Sequence, residues 1–529
     1  MNLNIMKRLP FVLLALCGAL SACQSTQPES RISGIAFEKT PLANAKITLI
    51  DARGTQLHTI TNMQGEYEFS RTALQAPLLV SVVSGGDAKY CSQNAQLRPV
   101  CLAAVIEKLA PTQIANINPL TDRIASDVAV AQGFIGPQQW VDSAKINALD
   151  PAVIAQARSY MQQAFAQALA LAGVNKTANF DPATYPIHRN AQLVEMLSLL
   201  NHNRNYDNNS GQTGHTTLSD VGFRPLVGLM NSGAYEPFDF AHARAEQQAI
   251  HNAAIRIFVV GDSTSAVYEQ LRFPRMGWAQ MLEREFKTEA NVKVIVGSRA
   301  GRSSRDFYNG RWFAQMEQLI QPGDYVFINH GHNDQSCDSA RPERGIADVQ
   351  NLCTYPNNAT GKIQHPAGKP ELSFYHSLQR YVNITRERGA IPVLFTPTAR
   401  IKNAKGEQTT PVVHSHVTQH KPGSNYAFVG DYRQTIMDLA RTEQLPLIDL
   451  GTASIRFANQ VGDPGWKSYW LVVDKRVNPY YTETMGGSPQ LPDGTHFQKN
   501  GAEVMTKLSV ELINSNPALK ALAEKLKAQ

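Results

Sequence analysis

IRIFVVGDST, residues 255–264, gives the clearest indication of the fold. A mostly apolar run leads into a glycine turn, which is the pattern of a buried strand that feeds a helix. Further apolar runs follow, with long helical patterns between them, at residues 292–296, 325–329, 391–395 and 445–450. This alternation predicts an α/β domain over residues 251–529. Its core would be a doubly wound parallel sheet with a site at the carboxyl ends of the strands.

Polar and glycine-rich motifs stand directly after three of these strands, and a fourth motif lies near the C-terminus. They are Gly261-Asp262-Ser263-Thr264, Ala300-Gly301-Arg302-Ser303-Ser304-Arg305, Gly331-His332-Asn333-Asp334 and Asp493-Gly494-Thr495-His496. A serine on a tight strand-to-helix turn is exposed at the sheet edge. A carboxylate three residues before an imidazole can accept from one ring nitrogen and leave the other as a base. Each motif alone is also explained by a turn or a helix cap. The four motifs together indicate acyl transfer.

The four motifs in this order resemble the sequence blocks of the SGNH (GDSL) hydrolases, over about half of the chain. The resemblance implies a flavodoxin-like fold. It implies a triad in which Ser263 is the nucleophile, His496 the general base and acid, and Asp493 the residue that orients the imidazole. It also implies an oxyanion hole made of the Ser263 N–H, the Gly301 N–H and the Asn333 side chain. No metal and no cofactor are implied.

Within and around these blocks, the individual residues resemble those of the rhamnogalacturonan and pectin acetylesterases. The matching segments include Gly277-Trp278, residues 301–305, Gly323-Asp324, Thr396-Pro397 with Arg400, and His496-Phe497 with Gly501-Ala502. The resemblance implies removal of O-acetyl groups from a polysaccharide, above all acetylated pectin or rhamnogalacturonan, through an acyl-enzyme. The alternatives are an esterase on another acylated glycan (xylan, alginate or a bacterial glycan) and a non-catalytic glycan-binding lipoprotein of the surface. The complete set of catalytic residues argues against the second alternative.

Candidate substrate contacts lie in two segments. Much of 462–491 departs from the family pattern as an insertion, and its Trp466 and Trp470 are candidate stacking surfaces for a sugar. The alternative is a loop that packs on its own aromatic side chains. Arg302 and Arg305 could pair with uronate carboxylates, and structural salt bridges are the alternative for both.

Histidines form a second pattern with possible chemistry. His414, His416 and His420 stand on one polar loop and suggest a metal site. No carboxylate accompanies them in the loop sequence, and the resembled enzymes need no metal, so we predict none. His330 and His332 follow the third strand, where hydrogen bonding in the floor of the site is the expected role.

The first residues have the features of a bacterial export signal, with basic residues before an apolar stretch too short to span a bilayer. The ending Leu20-Ser21-Ala22-Cys23 resembles a lipobox, which implies a signal peptide over 1–22, lipid on Cys23 and a polar tether over 23–30. Gln24 resembles the sorting pattern of outer-membrane lipoproteins. We therefore expect an exported protein that is held at a bacterial outer membrane through its lipid alone. An ordinary signal peptide with an incidental cysteine is the alternative.

The other cysteines agree with export. Two close pairs make Cys91–Cys101 and Cys337–Cys353 the economical disulfides, the second within a family insertion at 335–357. A zinc site is less favoured, because the spacings differ from those of zinc motifs.

The formal net charge of +6 is mild for 529 residues and gives no indication of a nucleic-acid partner. The expected partner is the polysaccharide substrate, and the oligomeric state stays open.

Residues 31–105 show short alternating strands between turn signals, as at Tyr67 and Phe69, which predicts a small antiparallel β-sandwich. Within it, residues 41–69 resemble the carboxypeptidase regulatory-like (transthyretin-like) module, which implies a spacer or a binding unit. Residues 106–250 are predicted as a mainly helical linker or packing region, with a polar loop at 201–214. We recognise no chemistry in that region.

Overall fold

The structure of the chain is a computed structural model. It describes residues 31–70, 74–92, 99–146, 148–174, 177–206, 213–226, 237–268, 272–335, 353–418, 428–479, 481 and 487–528. The predicted signal peptide, the predicted lipidation site Cys23 and the predicted tether lie outside the described residues, as do Cys337 and His420. Within the part that is described, none of the helices has the length and apolar character needed to span a bilayer.

The N-terminal part is a β-sandwich. Its elements are β1 (Arg31–Ile35), β2 (Lys46–Ile50), β3 (Gln56–Ile60), β4 (Glu66–Phe69), β5 (Leu78–Ser84), α1 (Lys89–Ser92), β6 (Val100–Ile106) and β7 (Thr112–Ile114). The two sheets have the strand orders β3-β2-β5-β6 and β4-β1-β7. The sandwich extends past residue 105, and β7 pairs with β1 in parallel, so it is not wholly antiparallel as predicted. A disulfide joins Cys91 to Cys101. The predicted Cys337–Cys353 pair stays a prediction, because Cys337 lies outside the described residues.

Residues 106–250 combine helices with a hairpin. The elements are α2 (Pro119–Ala131), α3 (Pro137–Ser143), α4 (Pro151–Ala164), α5 (Ala166–Leu171), α6 (Ala191–Ser198), β8 (Leu200–Tyr206), β9 (Thr213–Asp220) and α7 (Phe240–Asn252). The predicted polar loop at 201–214 is wrong, because much of it belongs to the antiparallel β8–β9 hairpin. The polar side chains of residues 201–204 are buried and hydrogen-bonded. His202 and Arg204 both bond to the carboxylate of Asp122 on α2, at 2.8 and 2.5 Å.

The C-terminal domain is built on a parallel sheet, which confirms the predicted fold class. Its strands are β10 (Ile255–Gly261), β11 (Val292–Val296), β12 (Tyr325–Asn329), β13 (Ile391–Phe395) and β16 (Leu447–Ile448), in the order β11-β10-β12-β13-β16. The first four match the predicted runs closely. The fifth is shorter than predicted, because Asp449 already caps the next helix by accepting from the Thr452 N–H.

Helices and short strands complete this domain. They are α8 (Ser304–Asn309), α9 (Trp312–Glu317), α10 (Phe374–Glu387), β14 (Val417–Thr418), β15 (Gly430–Asp431), α11 (Tyr432–Thr442), α12 (Leu450–Gly465), β17 (Trp470–Leu471), β18 (Asp493–Phe497), α13 (Lys499–Asn514) and α14 (Lys520–Ala523). A 3₁₀ helix at Trp278–Glu285 follows the turn after β10.

Two hydrophobic cores lie on opposite faces of the parallel sheet. Successive residues of β10 point to alternate cores. Phe258 and Val260 belong to one core, and Ile257 and Val259 belong to the other. The first core continues into the helices of the 106–250 region and reaches Leu79 of the sandwich. The region between the sandwich and the parallel sheet is therefore packed against both, rather than being a free linker.

Candidate active site

Ser263 stands in the turn that follows β10, and a close backbone contact fixes that turn. The Gly277 N–H donates to the Ala266 carbonyl oxygen at 3.1 Å. A Cβ atom on residue 277 would lie 2.2 Å from the same oxygen, so only glycine permits the contact. Ser263 is thereby held at the carboxyl edge of the central strand, where open α/β sheets bind their ligands.

His496 lies on β18 between Ser263 and Asp493. Its Nε2 atom is 2.9 Å from the Ser263 Oγ, and its Nδ1 atom is 2.6 Å from the Asp493 Oδ2. Burial alone would raise the pKa of Asp493, but the hydrogen bond and the charge of His496 lower that pKa to about 2. Asp493 is therefore ionised at neutral pH, accepts from Nδ1–H and leaves Nε2 as a base toward Ser263.

Gly301 and Asn333 follow β11 and β12, the two strands that flank β10. Gly301 has a φ of 74°, in the left-handed region that favours glycine. The Asn333 Nδ2 donates to the Arg302 carbonyl oxygen at 3.2 Å, so the amide is tied to the residue after Gly301. An amide nitrogen carries two protons, so this bond leaves one for a ligand. Both donors therefore share the sheet edge on which Ser263 stands.

This arrangement has the parts that acyl transfer requires. A hydroxyl is hydrogen-bonded to an imidazole, and the imidazole is hydrogen-bonded to an ionised carboxylate. Backbone and amide N–H groups lie on the neighbouring turns, where they can stabilise charge on a carbonyl oxygen. Among the described residues, no group of histidine, cysteine and acidic side chains is arranged to hold a metal ion.

Comparison with known proteins identifies the domain. Residues 259–502 match the GDSL-like Lipase/Acylhydrolase family. The domain is a GDSL-like acylhydrolase. The chain is accordingly a carboxylic ester hydrolase, as the sequence motifs predicted.

Curated relatives match the same half of the chain. The Probable rhamnogalacturonan acetylesterase YesY of Bacillus subtilis (strain 168) is 26% identical over 258 residues, covering 48% of this chain and 90% of that protein. The Rhamnogalacturonan acetylesterase RhgT of the same organism is 26% identical over 258 residues, covering 49% and 88%. The Uncharacterized esterase YxiM, also from that organism, is 25% identical over 256 residues, covering 48% and 50%. The acylhydrolase domain is homologous to these Bacillus enzymes, and the resemblance of the sandwich to a regulatory-like module stays a prediction.

Two further residues of the acylhydrolase brace the serine turn, and the sequence analysis gave neither a role. The Tyr268 hydroxyl donates to the Ser263 carbonyl oxygen at 2.7 Å. The Asp262 Oδ1 accepts from the Thr264 N–H at 2.9 Å, and burial raises the pKa of Asp262. The Asp262 contact could have been foreseen, since an aspartate two residues before a turn N–H commonly bonds to it. The Tyr268 contact has no comparable local signal.

Asp334 and Arg400 stabilise the turn that carries Asn333. The buried Asp334 carboxylate accepts from the Ser304 N–H and hydroxyl and from the Thr354 hydroxyl. Burial raises the pKa of Asp334 to about 7. Arg400 donates to the His332 carbonyl oxygen at 2.8 Å. The residues on either side of Asn333 are therefore both held by hydrogen bonds.

His414 and His416 of the predicted polar loop pair with protein groups. His416 Nε2 lies 3.1 Å from His332 Nδ1, and burial lowers the pKa of both rings. His414 Nε2 lies 2.9 Å from the carboxylate of Asp431. No carboxylate stands beside the histidines in the loop sequence, but the fold brings Asp431 to His414. His330 is also buried, which lowers its pKa to about 3.

The predicted aromatic platform is wrong. Trp466 and Trp470 are 1% and 0% exposed and belong to the core on one face of the parallel sheet. Their indole N–H groups donate to Asp463 and to the Ala399 carbonyl oxygen. Rings so enclosed cannot stack on a sugar. Trp470 packs instead on Phe457 and Phe497, which both lie outside the insertion.

The two arginines of the glycine block are both buried. Arg302 forms an ion pair with Asp306 at 2.9 Å, one helical turn further on. Arg305 is 5% exposed. Arg302 therefore has the structural salt bridge that was the alternative to uronate binding.

Proposed function

We propose that this chain is a serine acetylesterase that removes O-acetyl groups from an acidic polysaccharide of the pectin or rhamnogalacturonan class. The observation that carries the proposal is the hydrogen-bonded series Ser263–His496–Asp493, with separations of 2.9 and 2.6 Å. The curated names of YesY and RhgT support the substrate class, since both are rhamnogalacturonan acetylesterases by name.

The reaction begins with the Ser263 hydroxyl. Its oxygen attacks the acetyl carbonyl carbon while His496 Nε2 takes the hydroxyl proton, so an unactivated alcohol becomes a competent nucleophile. The ionised Asp493 stabilises the imidazolium that forms. His496 then returns the proton to the sugar oxygen, which leaves as an alcohol, and Ser263 carries the acetyl group.

The second half of the reaction repeats these steps with water. His496 takes a proton from the water that attacks the acetyl-serine, then returns it to the Ser263 oxygen as acetate leaves. In both halves negative charge builds on the carbonyl oxygen. The N–H groups of Ser263 and Gly301 and the amide of Asn333 donate to it, and each such donor contributes about 2.7–4 kcal/mol to transition-state stabilisation.

The place of action is also a proposal. The lipobox-like sequence ending at Cys23 supports export and attachment to a bacterial outer membrane by lipid. Such an anchor would keep the enzyme at the cell surface, where a polymer too large to enter can reach it. Replacement of Cys23 by serine should move the protein from the membrane to the soluble fraction. Retention in the membrane fraction would contradict the anchor.

Acetate release from a panel of substrates tests the function. The panel comprises acetylated rhamnogalacturonan, acetylated pectin, acetylated xylan, acetylated alginate and an aryl acetate. We expect turnover of the aryl acetate and the highest kcat/KM on the galacturonate-containing polymers. No hydrolysis of any acetate ester would contradict the enzyme and favour a binding protein. Faster release from xylan or alginate would contradict the substrate class alone.

A further inference from the structure

A cavity opens between the acylhydrolase domain and the β8–β9 hairpin. It encloses about 660 Å³, counting the space that is open to solvent. Thr217 and Ser219 of β9 line it from the hairpin side. The hairpin precedes the family-matched residues 259–502, so this wall is an addition to the acylhydrolase domain.

The opposite wall belongs to the segments that carry the proposed catalytic groups. Residues 266–268 line the cavity a few residues after Ser263, and Arg299 and Ala300 line it directly before Gly301. Both segments lie at the carboxyl edge of the parallel sheet. A sugar in this cavity would therefore be a near neighbour of a sugar whose acetyl group reaches Ser263.

Trp312 of α9 supplies an unsatisfied donor at this cavity. The side chain lines the cavity, it is 4% exposed, and its indole N–H has no acceptor among the described residues. A buried donor without a partner is destabilising, and a ligand oxygen would satisfy it. Trp and hydroxyl groups are typical partners of sugar oxygens, and Thr217 and Ser219 add two hydroxyls.

The charge of the lining is positive. Arg272 and Arg299 line the cavity, and its described lining includes no aspartate or glutamate. Arg299 is fixed in place, because its Nη2 donates to the Phe223 carbonyl oxygen at 2.7 Å and its guanidinium lies over the Trp312 ring. Positive charge in a concave site with low-dielectric walls attracts anions.

We propose that this cavity is a binding subsite for a uronate residue next to the acetylated sugar, and that the β8–β9 hairpin supplies one wall of it. The position of the acetylated sugar beside this subsite rests on the proposed function. Binding of the uronate can be measured independently of it. The carboxylate faces Arg272 and Arg299. The sugar oxygens accept from Trp312 and from the Ser219 hydroxyl. The Thr217 hydroxyl donates to the Asn203 carbonyl oxygen, so its oxygen accepts from a sugar hydroxyl.

Binding to the Ser263→Ala protein tests the subsite without turnover. Calorimetric titration with a short, unacetylated oligogalacturonide should show saturable binding, and a xylo-oligosaccharide of equal length should bind at least roughly tenfold more weakly. In the same background, Trp312→Phe keeps an aromatic ring and removes the donor. We expect it, and Thr217→Trp, which fills the cavity, to raise the Kd for oligogalacturonide about tenfold or more.

The control is Thr59→Trp, the same substitution at a half-buried position of β3 in the sandwich, which should leave the Kd unchanged. Equal binding of the neutral and the acidic oligosaccharide would overturn the assignment of a uronate. An unchanged Kd in both Trp312→Phe and Thr217→Trp would overturn the subsite. Acetate release by the wild-type enzyme is measured separately. Binding without acetate release therefore contradicts the proposed function alone, and acetate release with unaltered binding contradicts the subsite alone.

Discussion

At the scale of single residues, the bond from Asn333 to the Arg302 carbonyl oxygen ties one proposed oxyanion donor to the turn that carries the other. Gly301 sits in the left-handed region on that turn. Hydrogen bonds to Asp334 and from Arg400 hold the residues beside Asn333. The donors are therefore positioned before substrate arrives, which is what makes such groups effective in the transition state.

Replacing Asn333 by alanine should lower kcat by roughly a hundredfold to a thousandfold. KM should change little, because the ground-state carbonyl is a weaker acceptor than the oxyanion. Asn333→Asp should be at least as damaging, since it places a like charge beside the intermediate. Steady-state kinetics and thermal unfolding on one preparation make the measurement.

A matched control is Asn459→Ala. The Asn459 side chain also holds backbone in place, because it accepts from the Val412 N–H and donates to the Val412 carbonyl oxygen. That variant should lose stability and keep its turnover. If Asn333→Ala behaved in the same way, Asn333 would have no part in the mechanism.

The pKa of Asp493 predicts a pH dependence of stability. Its folded value, about 2, is below the ordinary value of 3.8, so the stabilisation is complete above about pH 4 and is lost as pH falls toward 2. The difference corresponds to about 2 kcal/mol. Urea unfolding of the wild type and of Asp493→Asn from pH 6 to pH 3 should show the two stabilities converging on the acid side. Parallel pH profiles would show that Asp493 has no lowered pKa.

At the level of secondary structure, the sequence predicts an element well when the element's own residues show how it is stabilised. The parallel strands were predictable because they are largely buried on both faces and therefore show mostly apolar runs of residues, as in β10. The β8–β9 hairpin was not predictable in this way. Its His202, Asn203 and Arg204 side chains pair with residues distant in sequence, such as Asp122 and Gln315. The burial of Trp466 likewise depends on tertiary packing. The sequence alone therefore could not distinguish a buried aromatic insertion from a sugar-binding surface.

Asp122 bonds to His202, Arg204 and Thr216 of the hairpin. Burial alone would raise its pKa, but the charge of Arg204 and the hydrogen bond of His202 lower it. Asp122→Asn should decrease the free energy of unfolding by about 3–5 kcal/mol, because it leaves Arg204 buried without a counter-charge. Chemical denaturation measures this, with the exposed Asp142→Asn on α3 as the control. Equal stability of the two variants would mean that the pair contributes nothing.

At the scale of the whole molecule, the sandwich, the 106–250 region and the acylhydrolase domain share a hydrophobic core. The sequence analysis could not foresee this, because an amphipathic helix shows that it has an apolar face and not which element covers it. The same packing brings β9 to the edge of the site. A chain that lacked the first 250 residues would expose part of this core, so the acylhydrolase domain should be studied within the full chain.

The disulfide in the sandwich gives a prediction at this scale. Cys91 and Cys101 close a loop with a sequence separation of 10. Replacing both by serine should lower the free energy of unfolding by about 2–3 kcal/mol, because the unfolded chain regains freedom. Reductant should lower the stability of the wild type and leave that of the double variant unchanged. A wild type insensitive to reductant, with both thiols free on peptide mapping, would contradict the bond.

The most direct test of the central claim is acetate release by Ser263→Ala. The wild type and the variant are compared on acetylated rhamnogalacturonan and on an aryl acetate, with circular dichroism to show that both are folded. Because the hydroxyl is the only group that can carry the acetyl intermediate in this account, we predict a loss of at least roughly a thousandfold on both substrates. A folded Ser263→Ala protein that keeps most of its activity would contradict the assignment of the nucleophile and, with it, the proposed mechanism.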